Sequence, residues 1–173
     1  MKYLQFVGGF TILGLILTAC ERLPMEKELT LHYFTSSEST YTDIKLEHGQ
    51  LTYTYFDDTD QRCAQWFKSS PCWTAADLKT VTAPLDAETE AELRQLVSAQ
   101  PLMDQAPATL TAAAQQPAER AYHEKLTISL GNHEQQLSYR SRPDVPPKPE
   151  SFQHIEQLLQ NAAEKLKPAV NSK

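Results

Sequence analysis

Two cysteines, Cys63 and Cys72, enclose eight residues in the segment CAQWFKSSPCW, and thiols this close in sequence can do two kinds of chemistry. In an exported protein, an even pair of cysteines at short spacing forms a disulfide. Two thiolates can instead bind a metal ion, but this pair lacks neighbouring histidines and the two-residue spacing of zinc knuckles. The sequence therefore predicts a disulfide if the protein is exported. Closing a loop of roughly ten residues in this way contributes about 2–3 kcal/mol to stability.

Aromatic side chains are concentrated in the same segment. Trp66 and Phe67 lie between the cysteines and Trp73 follows the second one, so both tryptophans of the chain are here. Aromatic side chains on a constrained loop are typical interface anchors, because binding costs them little conformational entropy. The alternative is that they pack inward as a lid over an open end of a sheet. We predict Trp66, Phe67 and Trp73 as the partner-binding residues.

The first twenty residues predict export. Lys2 is their only charged side chain, and residues 4–17 are apolar apart from one glutamine, one threonine and three glycines. This run is shorter than the about 20 apolar residues that a membrane-spanning helix needs. A charged start, a short apolar stretch and small residues near its end are typical of a secretory signal peptide. The alternative is a short anchor helix.

The end of that segment, LTAC at positions 17–20, resembles the lipobox of bacterial lipoproteins, which signal peptidase II cleaves. The resemblance covers residues 1–20 only. It implies that residues 1–19 are removed, that Cys20 becomes the N-terminus, and that Cys20 carries the lipid that holds the protein on the membrane. Glu21 stands where enterobacterial lipoproteins kept at the inner membrane have aspartate. For a Gram-negative source, the resemblance therefore implies the inner leaflet of the outer membrane, facing the periplasm.

Size and charge limit the remaining possibilities. Removal of the signal peptide leaves roughly 150 residues, which suits one domain. We expect a lipidated tether over 20–28, one periplasmic domain over 29–167 and a tail over 168–173. The formal net charge is -6, and no basic patch stands out. The composition therefore argues against nucleic acid and anionic lipid surfaces as partners.

Alternating and helical patterns predict the fold. Strand patterns cover 29–37 and the two arms of 41–56, with a glycine-containing turn between the arms, and 78–85 could add a short strand. A helix should begin at Asp86 and stop at Pro101. A second hairpin follows over 122–141 with a Gly131-Asn132 turn, which places Leu130 opposite His133, and a last helix spans 151–165. The alanine-, glutamine- and proline-rich stretch 104–120 is predicted to be a surface loop.

These elements predict an α+β domain. Their order is β-β-β-α-β-β-α, and one antiparallel sheet with two helices on one face, a two-layer sandwich, buries both apolar helix stripes. The layout is similar to that of several bacterial exported proteins and protease inhibitors. That similarity concerns architecture and does not determine function.

No motif in the chain predicts catalysis, a metal site or a cofactor. The five histidines include no pair at the helical spacing of a zinc hydrolase. In the second hairpin, His133 and His123 fall on opposite faces, which argues against a metal site there. The acidic run DDTD at 57–60 lacks the glycine and distal glutamate of an EF-hand and is interpreted as a solvated turn. The serines have no nucleophile elbow around them.

The leading hypothesis is therefore a lipid-anchored, non-enzymatic envelope protein that binds an envelope or secreted protein as an accessory or assembly factor, an inhibitor or an immunity protein. An envelope hydrolase with an unrecognised site is one alternative, which converging histidines and carboxylates would support. A carrier of a small ligand or lipid is another, and it requires a deep apolar cavity between sheet and helices.

Overall fold

The computed structural model of this protein describes residues 27–99, 123–140 and 148–168. Two α-helices and a six-stranded sheet make up the fold. The helices are α1 (Ala87–Ser98) and α2 (Glu150–Glu164), and a short 3-10 turn covers Ala75–Asp77. The strands are β1 (Leu29–Ser36), β2 (Tyr41–Glu47), β3 (Gln50–Phe56), β4 (Leu78–Pro84), β5 (His123–Leu130) and β6 (His133–Arg140).

The sheet has the strand order β4-β3-β2-β1-β5-β6, and every neighbouring pair is antiparallel. Both helices pack on the same side of it, which confirms the predicted α+β fold. The one correction to the order concerns β4, because four strands rather than three precede α1. The segment that was expected only as a possible short strand pairs with β3 along its whole length.

Both predicted hairpins are present, and the second has the register that the sequence predicts. In the first, His48 and Gly49 form a two-residue turn with φ of 53° and 70°. Positive φ at both positions matches the right-handed twist of the flanking strands. In the second, Leu130 lies opposite His133 across a turn in which Gly131 has a φ of 62°. The position of this turn therefore determines which side chains of β5 and β6 face the core and which face the other side of the sheet.

The core lies between the helices and one face of the sheet. Strands β1 to β3 contribute alternate residues, and Leu93 and Val97 of α1 are fully buried. Strand β6 brings Gln135 into this face at 5 % exposure, among apolar neighbours. The buried residues of α2 lie on one side of the helix, and they are Phe152, Ile155, Leu159, Ala162 and Ala163. We call the opposite side of the sheet the outer face.

The start of α1 is capped as predicted. The Asp86 side chain accepts a hydrogen bond of 2.8 Å from the backbone N–H of Thr89, which would otherwise lack an intrahelical partner. The same bond lowers the pKa of Asp86.

We expect Asp86→Ala to lower the melting temperature by about 2–5 °C, because a cap is worth roughly that much in a domain of this size. Asp86→Asn keeps the acceptor oxygen and serves as the control. Because the Asp86 pKa is lowered on folding, its contribution is present above the ordinary aspartate pKa and is lost as the pH falls. Equal melting temperatures for wild type and Asp86→Ala at pH 7 would contradict the capping role.

Several predicted features lie outside the described residues. They are the signal peptide, Cys20 and most of the tether, the loop 104–120, Pro101 and the end of the tail. Within the three described ranges, neither helix has the length and apolarity that crossing a membrane requires.

Candidate functional site

The predicted disulfide joins Cys63 to Cys72 with their Cα atoms 5.7 Å apart. It closes a segment at one end of the sheet, and we call residues 62–73 the aromatic loop. The Asp58 carboxylate accepts hydrogen bonds from the backbone N–H groups of Arg62 and Cys63, at 3.0 and 3.1 Å. At the other end of the loop, the N–H of Cys72 donates to the backbone oxygen of Glu38, at 2.8 Å. The loop is thus tied to the turn between β1 and β2.

Trp73 forms the base of the loop. Its indole ring packs edge-on against Tyr41, with ring centres 5.0 Å apart, and Tyr41 packs against Phe34 in the same way. The indole N–H donates to the backbone oxygen of Ser37 at 3.0 Å. Since Tyr41 and Phe34 lie on the outer face, Trp73 covers the end of that face and not the core between sheet and helices. The Trp73 side chain is only partly exposed.

Trp66 and Phe67 form the tip of the loop. Phe67 is 87 % exposed and Trp66 is 37 % exposed, and they are the exposed large hydrophobic residues of the described part of the chain. The indole N–H of Trp66 donates to the backbone oxygen of Ser70, and the Lys68 ammonium lies 5.0 Å from the centre of its ring. Trp66 is therefore oriented by the loop itself, whereas Phe67 points into solvent.

Arg62 connects the loop to the strand that follows. Its guanidinium lies 2.8 Å from an Asp77 carboxylate oxygen and 5.3 Å from the centre of the Phe56 ring. Hydrogen bonds from Arg62, and then from Thr74, lower the pKa of Asp77 to about 2. Asp77 therefore stays ionised at any physiological pH, and it holds the end of the loop against the start of β4.

The acidic turn after β3 is occupied by protein contacts. Asp57 lies 2.8 Å from the Lys79 ammonium, and Asp58 accepts the two backbone bonds described above. These residues line a surface pocket of about 280 Å³ together with Arg62 and Lys79. Two cations within this pocket argue against a calcium site. Across the described residues, no three histidine, cysteine or acidic side chains converge as a metal site would require.

The histidines lie in separate places. His32 is 2.9 Å from Asp43 on the outer face, His48 is 3.1 Å from Glu28 beside a turn, and His154 is 3.4 Å from Glu92 between the helices. Each of these pairs joins one histidine to one carboxylate. The side chain of His123 lies outside the described residues, and His133 is exposed.

No family model, curated protein or solved structure matches this chain.

A polar network that the sequence did not reveal lies on the helix side of the sheet. Lys148 precedes α2, and its ammonium lies 2.8 Å from Glu156 and also contacts the carboxylate of Glu124 in β5. Glu156 accepts a hydrogen bond of 3.0 Å from the Tyr33 hydroxyl, and the Gln160 amide donates to both. Less than a quarter of each of the three charged side chains is exposed.

Burial and charge shift two groups of this network in the same direction. Burial, and then the negative charge of Glu156, raise the pKa of Tyr33 well above its ordinary value of 10.0. Burial by itself would lower the pKa of Lys148, but hydrogen bonds with Glu124 and Glu156 outweigh it and raise that pKa. Both groups therefore hold their protons more tightly in the folded state.

We expect the free energy of unfolding to fall as the pH rises above about 10. Above that pH the unfolded chain loses protons that folded Tyr33 and Lys148 retain, so unfolding is favoured. Denaturant titrations at a series of pH values up to 12 measure this decline. Tyr33→Phe should show a shallower decline than wild type, because one of the groups whose pKa is raised on folding is gone. A decline of equal steepness in both proteins would exclude a role for Tyr33.

The network borders a surface pocket of about 380 Å³, lined by Lys148, Gln153, Glu156, Gln157 and Gln160. Its lining is polar, unlike the deep apolar cavity that a lipid carrier requires. One sequence signal could have indicated the network. Glu156, Gln160 and Glu164 recur at four-residue intervals beside the apolar stripe of α2, and all three are hydrogen-bonded to the Tyr33 or Tyr53 hydroxyl. We interpret the network as a set of polar contacts that hold α2 against the sheet.

Proposed function

We propose that this protein is a lipid-anchored, non-enzymatic envelope protein that binds another protein through the aromatic loop. The lipid is attached at Cys20, and the domain faces the periplasm from the inner leaflet of the outer membrane. Binding serves an accessory or assembly, inhibitory or immunity role. The observation that carries the proposal is the exposure of Phe67 and Trp66 at the tip of a disulfide-closed loop.

Physical reasoning supports this role for the loop. Exposing a phenylalanine ring to water costs free energy that a partner's apolar pocket would recover. The disulfide and the Asp58 bonds hold the loop in place before binding, so little conformational entropy remains to be lost. Trp66 adds a large ring with a fixed orientation, and such rings are enriched at the centres of protein interfaces.

The test is crosslinking in cells of the tagged, full-length protein, followed by purification and mass spectrometry. We expect one dominant envelope or secreted partner, and the double variant Trp66→Ala with Phe67→Ala should recover at least about tenfold less of it. Gln65→Ala is the matched control, because Gln65 is exposed in the same loop and is polar. Trp73 is left intact because its removal would disturb the packing against Tyr41.

The outcomes separate the hypotheses. Retention of the Cys63–Cys72 disulfide and of the far-ultraviolet circular dichroism in the double variant would show that the fold is intact. Unchanged partner recovery with an intact fold would remove the loop as the binding site. Absence of any specific partner, with the protein correctly at the membrane, would overturn the binding role and favour a ligand carrier or an enzyme.

A further inference from the structure

Strand β4 is an edge of the sheet. The backbone N–H and C=O groups of alternate residues in β4 point either to β3 or away from the sheet. The N–H of Leu85 donates to the oxygen of Gly49 at 2.9 Å, in line with the register of β3 and β4. Hydrogen-bonded pairs alternate along an antiparallel ladder, so Lys79, Val81 and Ala83 bond to β3. Leu78, Thr80 and Thr82 therefore direct their N–H and C=O groups away from the sheet.

The described elements next to β4 in the chain leave this edge uncovered. The aromatic loop before β4 folds back to the turn between β1 and β2, where Cys72 bonds to Glu38. Helix α1 after β4 crosses to α2 and β5. None of the described elements lies along the outward groups of β4.

The composition of β4 favours strand pairing. At its centre, Thr80, Val81 and Thr82 are residues with high β propensity, whereas the other edge, β6, begins with the sequence HEQQ. Lys79, the one charged residue of β4, is paired with Asp57. An edge with so little charge is poorly protected against pairing with another strand.

We propose that β4 pairs antiparallel with β4 of a second copy of this chain, with the two-fold axis at Thr80. Thr80 then lies opposite its counterpart, and Leu78 lies opposite Thr82, so that all three outward residues bond to outward residues. Pro84 selects this register. If the axis passed through Val81, Leu78 would face Pro84, which has no N–H to donate. A two-fold contact of this kind is closed and gives a dimer with one continuous sheet.

Side chains on both faces fit this pairing. On the outer face, the hydroxyls of Thr54 and Thr80 are already 2.9 Å apart, and those of Thr52 and Thr82 are 3.1 Å apart. The two-fold axis extends the first pair into a row of four threonines, and such cross-strand pairs are favourable. On the helix side, Val81 is only partly buried, and the aliphatic stem of the second copy's Lys79 would lie across from it.

Cysteine substitution in the full-length protein, expressed in its own cells, tests the pairing. Directly opposite residues have Cα atoms about 5.5 Å apart, which suits a disulfide. Thr80→Cys should therefore give a reducible dimer on a non-reducing gel. The control is Gln136→Cys, at the corresponding outward position of the β6 edge. We expect at least about tenfold more dimer from Thr80→Cys than from this control.

A second pair of variants checks the register. Thr82→Cys alone should crosslink poorly, because Thr82 faces Leu78, and the double variant Leu78→Cys with Thr82→Cys should restore the dimer. Equal crosslinking of Thr80→Cys, Thr82→Cys and Gln136→Cys would overturn the proposal, as would a monomeric Thr80→Cys protein with an intact Cys63–Cys72 bond. Binding through the aromatic loop is a separate property, so either proposal can fail alone.

Discussion

Lys148→Met is expected to lower the free energy of unfolding by about 2–3 kcal/mol, because removing one partner of a largely desolvated ionic network leaves uncompensated charge behind. The exposed fractions of the Lys148, Glu124 and Glu156 side chains are 17 %, 21 % and 14 %. Without the ammonium, two carboxylates face each other with little access to water. Methionine keeps the length and apolar stem of lysine, so that the loss reports mainly on the charge. Equilibrium unfolding in urea measures it.

Two controls sharpen this experiment. Lys165→Met removes an exposed lysine beyond the end of α2 and should leave stability nearly unchanged. The triple variant Lys148→Met, Glu124→Gln, Glu156→Gln removes the uncompensated charges and should recover most of the lost stability. If Lys148→Met proved as stable as wild type, the ion pairs of Lys148 would contribute nothing to stability. The network would then not hold α2 in place.

The double variant Cys63→Ser with Cys72→Ser is expected to have a free energy of unfolding about 2–3 kcal/mol lower than wild type. Without the crosslink, the unfolded chain has a higher conformational entropy. The two tryptophans of the chain are at positions 66 and 73, so intrinsic tryptophan fluorescence reports on the aromatic loop. Circular dichroism at 222 nm reports instead on the helices. The two signals therefore show separately what happens to the loop and to the rest of the domain.

The wild-type protein should unfold in one transition seen by both signals, and both midpoints should move to lower urea concentration in the double-serine variant. Asp58→Asn keeps an acceptor oxygen for only one of the two backbone bonds, the one from Arg62 or the one from Cys63, and serves as a mild perturbation of the same loop. A double-serine variant with unchanged midpoints would mean that hydrogen bonds and the Trp73 packing hold the loop without the disulfide.

Local patterns were sufficient to predict most of the secondary structure. The alternation in β5 and β6, together with the turn at Gly131, predicted their register residue by residue, because a hairpin joins residues close in sequence. Asp86 predicted the start of α1 for the same reason, since a cap acts within one helical turn. The disulfide followed from spacing and from the inferred export of the chain.

The sequence located the aromatic loop, but it did not predict the surroundings of each aromatic residue or the Lys148 network. The aromatic loop was found from composition alone, but composition could not separate the exposed Phe67 from Trp73, which packs against Tyr41. That difference depends on where the end of the sheet lies relative to the loop. The Lys148 network was missed because its members come from β1, β5, α2 and the segment before α2, which are far apart in the chain.

The sequence by itself determined the class of the fold, the register of the second hairpin, the helix positions and the cysteine pair, because all of these depend on contacts between near neighbours. Only the tertiary structure decided that β1 pairs with both β2 and β5, that β4 is an edge, and that Trp73 covers the end of the outer face. These features depend on which surfaces meet when distant segments pack. Local propensities do not encode that choice, since it is the burial of the whole core that makes one arrangement more stable than the others.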